Sequence, residues 1–423
     1  MSRRAGFTGL LVAEAISLFG SRMTFLAVPW LVLVTTGSAT LTGVVTFAEM
    51  LPYVLVNAVG GPLVDRLGPR RASIIMDAAS VAVVGAVPLL HAIGGLRFDV
   101  LLVLVAVAGV LRGLGDSGKR LILPRVAAYG GTDLTRATAL QDGVARGATL
   151  IGAPLAGVLI AGLGAPGVLV LDAVTFGVAA VLIAVFVSRR MVALTTAVEP
   201  TLDEPPVRES YVSQLRAGFA FVRRDPLILG TMVMLFLTNL IDQAQGAVFV
   251  PVWAREFGTP MVLGLVSGSF ALGAVLGNIV YAATAPRLPR WAPFAIGFLI
   301  GGCPRFFALA FGAPLWSIVA ISVTAGVALS AVNPILGAVY YERIPSTMQA
   351  RVLGLSIALS WAGIPIGSLL GGWLVDGVGL RTALLIGGVG YLIATLMPFT
   401  SRHWRAMDER PAPAPVATEP ARA

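Results

Sequence analysis

The sequence is poor in what a water-soluble protein relies on. Its single cysteine, Cys303, excludes an internal disulfide. Two histidines, His91 and His403, leave no His/Cys cluster of the kind that holds zinc. Charged residues are 12% of the 423, against about 25% in soluble domains. So little charge does not cover a water-facing surface, and the mean hydropathy of +0.88 points to the bilayer as solvent. No short cationic stretch with a small-residue cleavage site precedes the first apolar run. That run is too long for a leader core and is expected to be a retained helix.

What is present is long apolar runs. A helix needs about 20 residues to cross the hydrocarbon core, and the chain offers twelve such spans. Those of the first half are Phe7–Val34, Leu41–Leu63, Ala72–Ile93, Phe98–Leu121, Ala139–Gly162 and Pro166–Val187. Those of the second half are Leu227–Val252, Val262–Thr284, Ala292–Ala313, Leu315–Tyr340, Ala350–Leu374 and Leu380–Phe399. The runs are too long for membrane strands, which are about 10 residues and alternate.

A net charge of +9 signals nucleic acid only where basic residues cluster on a water-facing surface. Of the 30 basic residues, Arg22, Arg112, Arg146 and Arg305 lie well inside spans, away from their ends, and only Arg97, Arg255 and Arg381 fall opposite the N-terminus. The rest share one side, which predicts cytoplasmic N- and C-termini and no nucleic-acid partner.

Residues 188–210 are polar, with Pro200, Pro205 and Pro206, and read as a link between two six-helix halves. Tyr211–Arg224 follows with Leu215, Phe219 and Val222 on one side and Arg216, Arg223 and Arg224 elsewhere, the pattern of an interfacial helix. The domains are therefore 1–187, a link with its helix over 188–225, 226–400, and a Pro/Ala-rich tail over 401–423 expected to be disordered. The halves repeat each other. Pro29-Trp30 matches Pro251-Val252-Trp253, Gly43 matches Gly264, and Gly152, Gly157, Gly162 and Gly164 match Gly367, Gly372, Gly377 and Gly379.

Between the second and third spans lies Gly61-Pro62-Leu63-Val64-Asp65-Arg66-Leu67-Gly68-Pro69-Arg70-Arg71. It resembles the signature loop of the major facilitator superfamily, G-x-L-x-D-R-x-G-x-R-R, through Gly61, Leu63, Asp65, Arg66, Gly68, Arg70 and Arg71. Together with the twelve spans, the link and the repeat, the chain resembles that superfamily over residues 1–400. The resemblance implies an all-α polytopic membrane protein of two pseudo-symmetric halves. It also implies a cavity lined by helices 1, 2, 4, 5, 7, 8, 10 and 11, and an Asp65 that nears the start of helix 11, by Ala350, when its side closes. Gly20-Ser21-Arg22-Met23-Thr24, Thr36-Gly37-Ser38 and Arg351-Val352-Leu353-Gly354 resemble the bacterial drug-efflux branch that includes macrolide and enterobactin exporters.

Charges inside spans are functional candidates by default, because an ionised group there is costly unless paired or hydrated. Arg22 and Glu49 fall at similar depth on adjacent spans, which predicts an ion pair or a shared substrate contact. Glu14 lies nearer the cytoplasm. Asp242 sits mid-span within Asn239-Leu240-Ile241-Asp242-Gln243-Ala244-Gln245, flanked by amides, and is the leading proton-carrier candidate. The alternative reading of each is structural: an ion pair that orients two helices, and an amide network that packs them.

Arg112 resembles the arginine of the family's R-x-x-Q-G motif, but Arg112-Gly113-Leu114-Gly115-Asp116 lacks its glutamine and glycine. Spacing pairs Arg112 with Asp116 and Asp142 with Arg146 as a structural network. Gly147, Gly152, Pro154 and Gly157 resemble the exporters' G-x-x-x-G-P-x-x-G-G motif, with Ala153 and Val158 in place of glycines, and equally suit close helix packing. Asp77 is expected to hold Arg70 or Arg71, Asp172 to be structural, and Arg305 has no evident partner. Gly113–Arg120 reads G-x-x-x-x-G-K-R, lacks the Ser or Thr that ends a P-loop, and follows no strand.

The expected function is a monomeric secondary transporter of the bacterial inner membrane, exporting small amphiphilic molecules on a proton gradient without cofactor or metal. Importer and lipid flippase of the same fold are the alternatives. A membrane enzyme needs a clustered nucleophile, metal or phosphate site, none of which is visible, and the intramembrane carboxyls argue against a mere sensor.

Overall fold

The computed structural model describes residues 5–188, 191, 211–345 and 348–409. Regular structure among them is helical throughout. Eleven segments are long and apolar enough to cross a bilayer. The longest, Leu134–Phe186, is two crossings joined at Gly164, whose φ of 73° and ψ of 164° interrupt the helix, so the described chain crosses twelve times. The membrane helices are α1 Ala5–Thr36, α2 Ala39–Val59, α3 Pro69–Ala92, α4 Phe98–Tyr129, α5 134–163 and α6 165–186. Then come α7 Pro226–Glu256, α8 Met261–Thr284, α9 Trp291–Ala310 and α10 Leu315–Arg343, α11 Gln349–Val378 and α12 Leu380–Thr400.

Local chemistry sets the breaks. Asp225 accepts from the N–H groups of Leu227 and Ile228 and Pro226 opens α7, a cap and a first-turn proline together. The repeat is visible in backbone geometry: Gly164 and Gly379, matched in the sequence, carry φ of 73° and 80° before α6 and α12. That left-handed region costs glycine little and other residues more. Apolar side chains cover the outside, with Val181, Ile279 and Trp373 each at least 60% exposed, as a lipid-facing surface requires.

Several expectations change. The second span does not run on to Leu63; α2 stops at Val59 and the signature segment is itself a short helix, Gly61–Leu67. The fourth continues past Leu121 to Tyr129. The tail is not disordered from 401: Arg402–Asp408 is a 3-10 helix with Trp404 and Met407 buried. Asp408 there accepts from the N–H groups of Arg290 and Trp291 at the start of α9. The interfacial helix forms over Tyr211–Arg224, with Val222 buried and Phe219 exposed beneath the Arg223 guanidinium. The side chain of Leu215, most of the link over 188–210 and the tail from 410 lie outside the described residues.

The halves meet at the end opposite to that holding the described ends of the chain, here the far end; the other is the termini end. Two helix pairs make the joint. On α2 and α11, a Cβ at Gly43 would strike the Ser368 carbonyl, and one at Gly372 the Ala39 carbonyl. On α5 and α8, a Cβ at Gly157 would lie 2.9 Å from the Gly264 nitrogen. Hydrogen bonds cross here too. Asp376 of α11 accepts from Ser38 Oγ at 2.8 Å and from the N–H groups of Ala39 and Thr40 at 3.1 and 2.8 Å, capping α2. Arg255 of α7 donates to the Leu33 and Gly37 carbonyls at 3.2 Å, closing the last turn of α1. At the termini end, Asp65 is exposed, its carboxylate makes no hydrogen bond or ion pair among the described residues, and a Cβ on Gly354 of α11 would meet open space.

Candidate functional site

A cavity of about 210 Å³ lies between the halves, below the far-end joint. Its walls combine apolar groups such as Phe25, Phe270 and Ile321 with Arg22, Asp242 and Arg305 as the charged lining. It has the character of a small-molecule site: mostly apolar, with a few placed polar groups.

In the second half, Arg305 donates to Asp242 at 2.8 Å and Tyr391 donates to it at 3.2 Å. The guanidinium also donates to the Gly301 carbonyl at 2.8 Å and stacks over Phe270, 5.2 Å from the ring centre. Asp242 is therefore not the amide-flanked carboxyl expected. Asn239 donates instead to the Ser360 carbonyl at 3.0 Å, tying α7 to α11, and Gln243 Nε2 is buried without a partner. Arg305 has a partner after all and reaches the cavity from α9, a helix expected to be peripheral. Just beyond Asp242, α7 widens into a π-helix over Gln245–Phe249, a feature common at functional sites, and Gln245 lines the cavity.

In the first half the expected Arg22–Glu49 pair does not form. Glu49 accepts from Arg112 at 2.6 Å, with side chains 3% and 10% exposed. The Arg22 side chain is exposed to the cavity and makes no hydrogen bond or ion pair among the described residues. Nor does Arg112 pair with Asp116, which accepts from Tyr53 Oη at 3.4 Å, and Asp142 and Arg146 are both exposed and form no ion pair among the described residues. Glu14 accepts from Gln141 at 2.8 Å, joining α1 to α5. Asp77 holds Lys119 at 3.0 Å rather than Arg70, and Lys119 also donates to Ser17 at 3.0 Å. The lysine that mimics a P-loop is thus a buried ionic partner within α4. Arg70 donates to the Ala184 and Val187 carbonyls at the end of α6, where a cation suits the helix dipole.

The family model of the Major Facilitator Superfamily matches residues 10–258 and 231–422. The chain belongs to this superfamily. The multidrug efflux pump Tap of Mycobacterium tuberculosis (strain ATCC 25618 / H37Rv) is 30% identical over 380 residues, 89% of this chain and 88% of that protein. Tap of Mycolicibacterium fortuitum is 28% identical over 391 residues, 91% and 92% of the two chains. Among solved structures, the nucleoside transporter NupG aligns with a TM-score of 0.69 at 14% identity, over 94% of this chain and 100% of that one. A bacterial homologue of the iron transporter ferroportin in an inward-facing state aligns with a TM-score of 0.66 at 17% identity, over 96% and 100%. The chain is a multi-pass membrane transporter and not an enzyme.

The superfamily's motifs can now be placed. In the signature segment, Gly60 ends α2 and Gly68 turns into α3, leaving Asp65 and Arg66 exposed at the termini end. On α5, a Cβ at Gly152 would lie 3.1 Å from Arg22 Cβ of α1, while Pro154 and Gly157 face Gly264 and Gly268 of α8. Small residues there allow close approach on both sides.

Proposed function

We propose that this transporter exports small amphiphilic molecules across the bacterial inner membrane, in exchange for protons, by alternating access. The central cavity carries the reading: it touches both halves, and its apolar walls hold three charges in the membrane interior. Likeness to multidrug efflux pumps supports export of drug-like compounds. The skew of basic residues supports an orientation with both termini in the cytoplasm. In that orientation the far-end joint closes the cavity to the outside, and the termini end is the side from which substrate enters. The protein acts as a monomer, with no cofactor and no nucleic-acid partner.

Arg22 and the Asp242–Arg305 pair are the charges that meet substrate. Asp242 is satisfied by Arg305, which leaves Arg22 as the lining cation without an ion pair among the described residues. Arg22→Gln is expected to weaken binding of an acidic amphiphile by about 1.5–3 kcal/mol, the worth of a hydrogen bond to a charged group. Binding of a neutral dye should change little; equal loss for both would remove Arg22 from recognition.

The test of the whole reading is transport in proteoliposomes of known sidedness, using ethidium, fluorescein and Nile red under an imposed pH gradient. Movement away from the termini side against the dye gradient, abolished by a protonophore, is the expected result. Movement the other way indicates uptake. Lipid scrambling without dye transport indicates a flippase.

A further inference from the structure

Proton exchange requires a carboxyl that gains and loses a proton at modest cost. Glu49, Asp77 and Asp242 are each held by a cation, Arg112, Lys119 and Arg305 in turn. Protonating any of them strands the partner's charge in the membrane interior, which is costly. Glu14 and Asp116 also lack an ion pair among the described residues, but Glu14 is held by the Gln141 amide toward the termini end and Asp116 is only half-buried. Asp172, two turns into α6, is different. It is fully buried, and no cation lies within ion-pair distance among the described residues. Two hydroxyls hold it instead: Thr24 Oγ1 of α1 donates a short hydrogen bond, and Thr175 Oγ1 shares its one proton between the carboxyl at 3.0 Å and the Asp172 backbone carbonyl at 2.7 Å. Protonation here cancels an uncompensated charge instead of creating one.

The surroundings are shaped for that carboxyl. A Cβ on Gly20 would collide with Asp172 Oδ1 and Thr175 Oγ, so glycine makes the notch in α1 into which Asp172 fits. Gly20 and Thr24 lie one turn apart on the same face, while Arg22 between them points into the cavity. The Gly20–Thr24 segment thus has two faces, one toward substrate and one toward Asp172.

The charged groups that bear on Asp172 are Arg112 of α4 and Glu49 of α2. Thr24, Glu49 and Arg112 meet at one small void of about 10 Å³, lined otherwise by apolar residues such as Val84, Leu104 and Leu169. Arg112 Nε is a buried donor without a partner. The polar groups continue toward the termini end through Asp116 and Tyr53.

We infer that Asp172, cradled by Gly20, Thr24 and Thr175, is the carboxyl that carries the coupled proton. The inference rests on the proton-driven reading above. Substrate at Arg22 and the proton at Asp172 then bear on opposite faces of one helix, and displacement of α1 by either alters the site of the other.

The experiment compares wild type, Asp172→Asn, Asp172→Glu and Thr24→Val in proteoliposomes, with ethidium and fluorescein as probes and a pH-sensitive dye for proton flux. Asp172→Asn is expected to bind and exchange the transported dye but to lose accumulation above equilibrium and coupled proton flux. Asp172→Glu should retain both. In infrared spectra over a pH series, the C=O band of a protonated carboxylic acid should titrate in wild type and be missing from Asp172→Asn. If Asp172→Asn does not fold, Thr24→Val serves, and its pH midpoint of transport should move. Undiminished gradient-driven accumulation by Asp172→Asn, or an unmoved midpoint in Thr24→Val, overturns the inference alone. A wild type indifferent to the pH gradient overturns the antiport reading and this inference with it.

Discussion

At the scale of single residues, depth in the membrane was legible and partnership was not. Run lengths put Arg22, Arg112 and Glu49 inside spans. Which cation Glu49 meets depends on how each helix is rotated, and spans so uniformly apolar give little sign of rotation. The pair that forms is Glu49–Arg112, with both side chains at most 10% exposed. Glu49→Gln and Arg112→Gln are each expected to cost about 3–5 kcal/mol, as for breaking a buried pair. The double variant should recover part of that loss in thermal unfolding in detergent. Additive losses would show that the two are not coupled. Asp242–Arg305 was within reach of a simpler argument. They are the acid and the base nearest mid-depth in the second half, and each needs a counter-charge. The assignment of α9 to the periphery hid it. Asp172 was passed over for the same reason, although Gly20 and Thr24, which cradle it, stood in a segment already marked by resemblance.

At the scale of elements, the spans and the two-half repeat could be read because crossing a bilayer demands length and low charge. Ends were harder to read. Lys119 and Arg120 looked like the border of the fourth span, yet α4 runs on to Tyr129 because Asp77 holds Lys119. Trp404 and Met407 carry no sequence sign of burial, because a packed turn so short has no periodicity to show. The joint between α5 and α8 is the element-scale feature most open to test. A Cβ on Gly264 would lie 2.7 Å from the Ala153 and Pro154 carbonyls, and backbone atoms cannot swing aside. Gly264→Ala is therefore expected to part α5 from α8 at the far end. Spin-label distances between residues near Gly162 and Met261 should lengthen; unchanged distances would mean the helices have slack there.

At the scale of the whole molecule, one aspartate stands in the last turn of α11 and another in the short helix that follows α2. Asp376 caps α2 at the far end, and Asp65 stands exposed at the termini end. When the termini end closes, Asp65 is expected to meet the start of α11, where a carboxylate is worth about 0.3–1 kcal/mol. Asp65→Asn should slow transport and leave dye affinity nearly unchanged in binding titrations. Full transport at equal expression would deny Asp65 this part in the cycle. The Asp376 cap has a further consequence. It is exposed, so its hold on α2 also falls in the range of about 1 kcal/mol or less, and about 1.4 kcal/mol corresponds to a tenfold population ratio. The packed glycine faces and Arg255 hold the same joint, so loss of the cap alone raises the open fraction by no more than about tenfold. The apparent affinity of an inhibitor applied from the far side is expected to rise within that factor in Asp376→Asn.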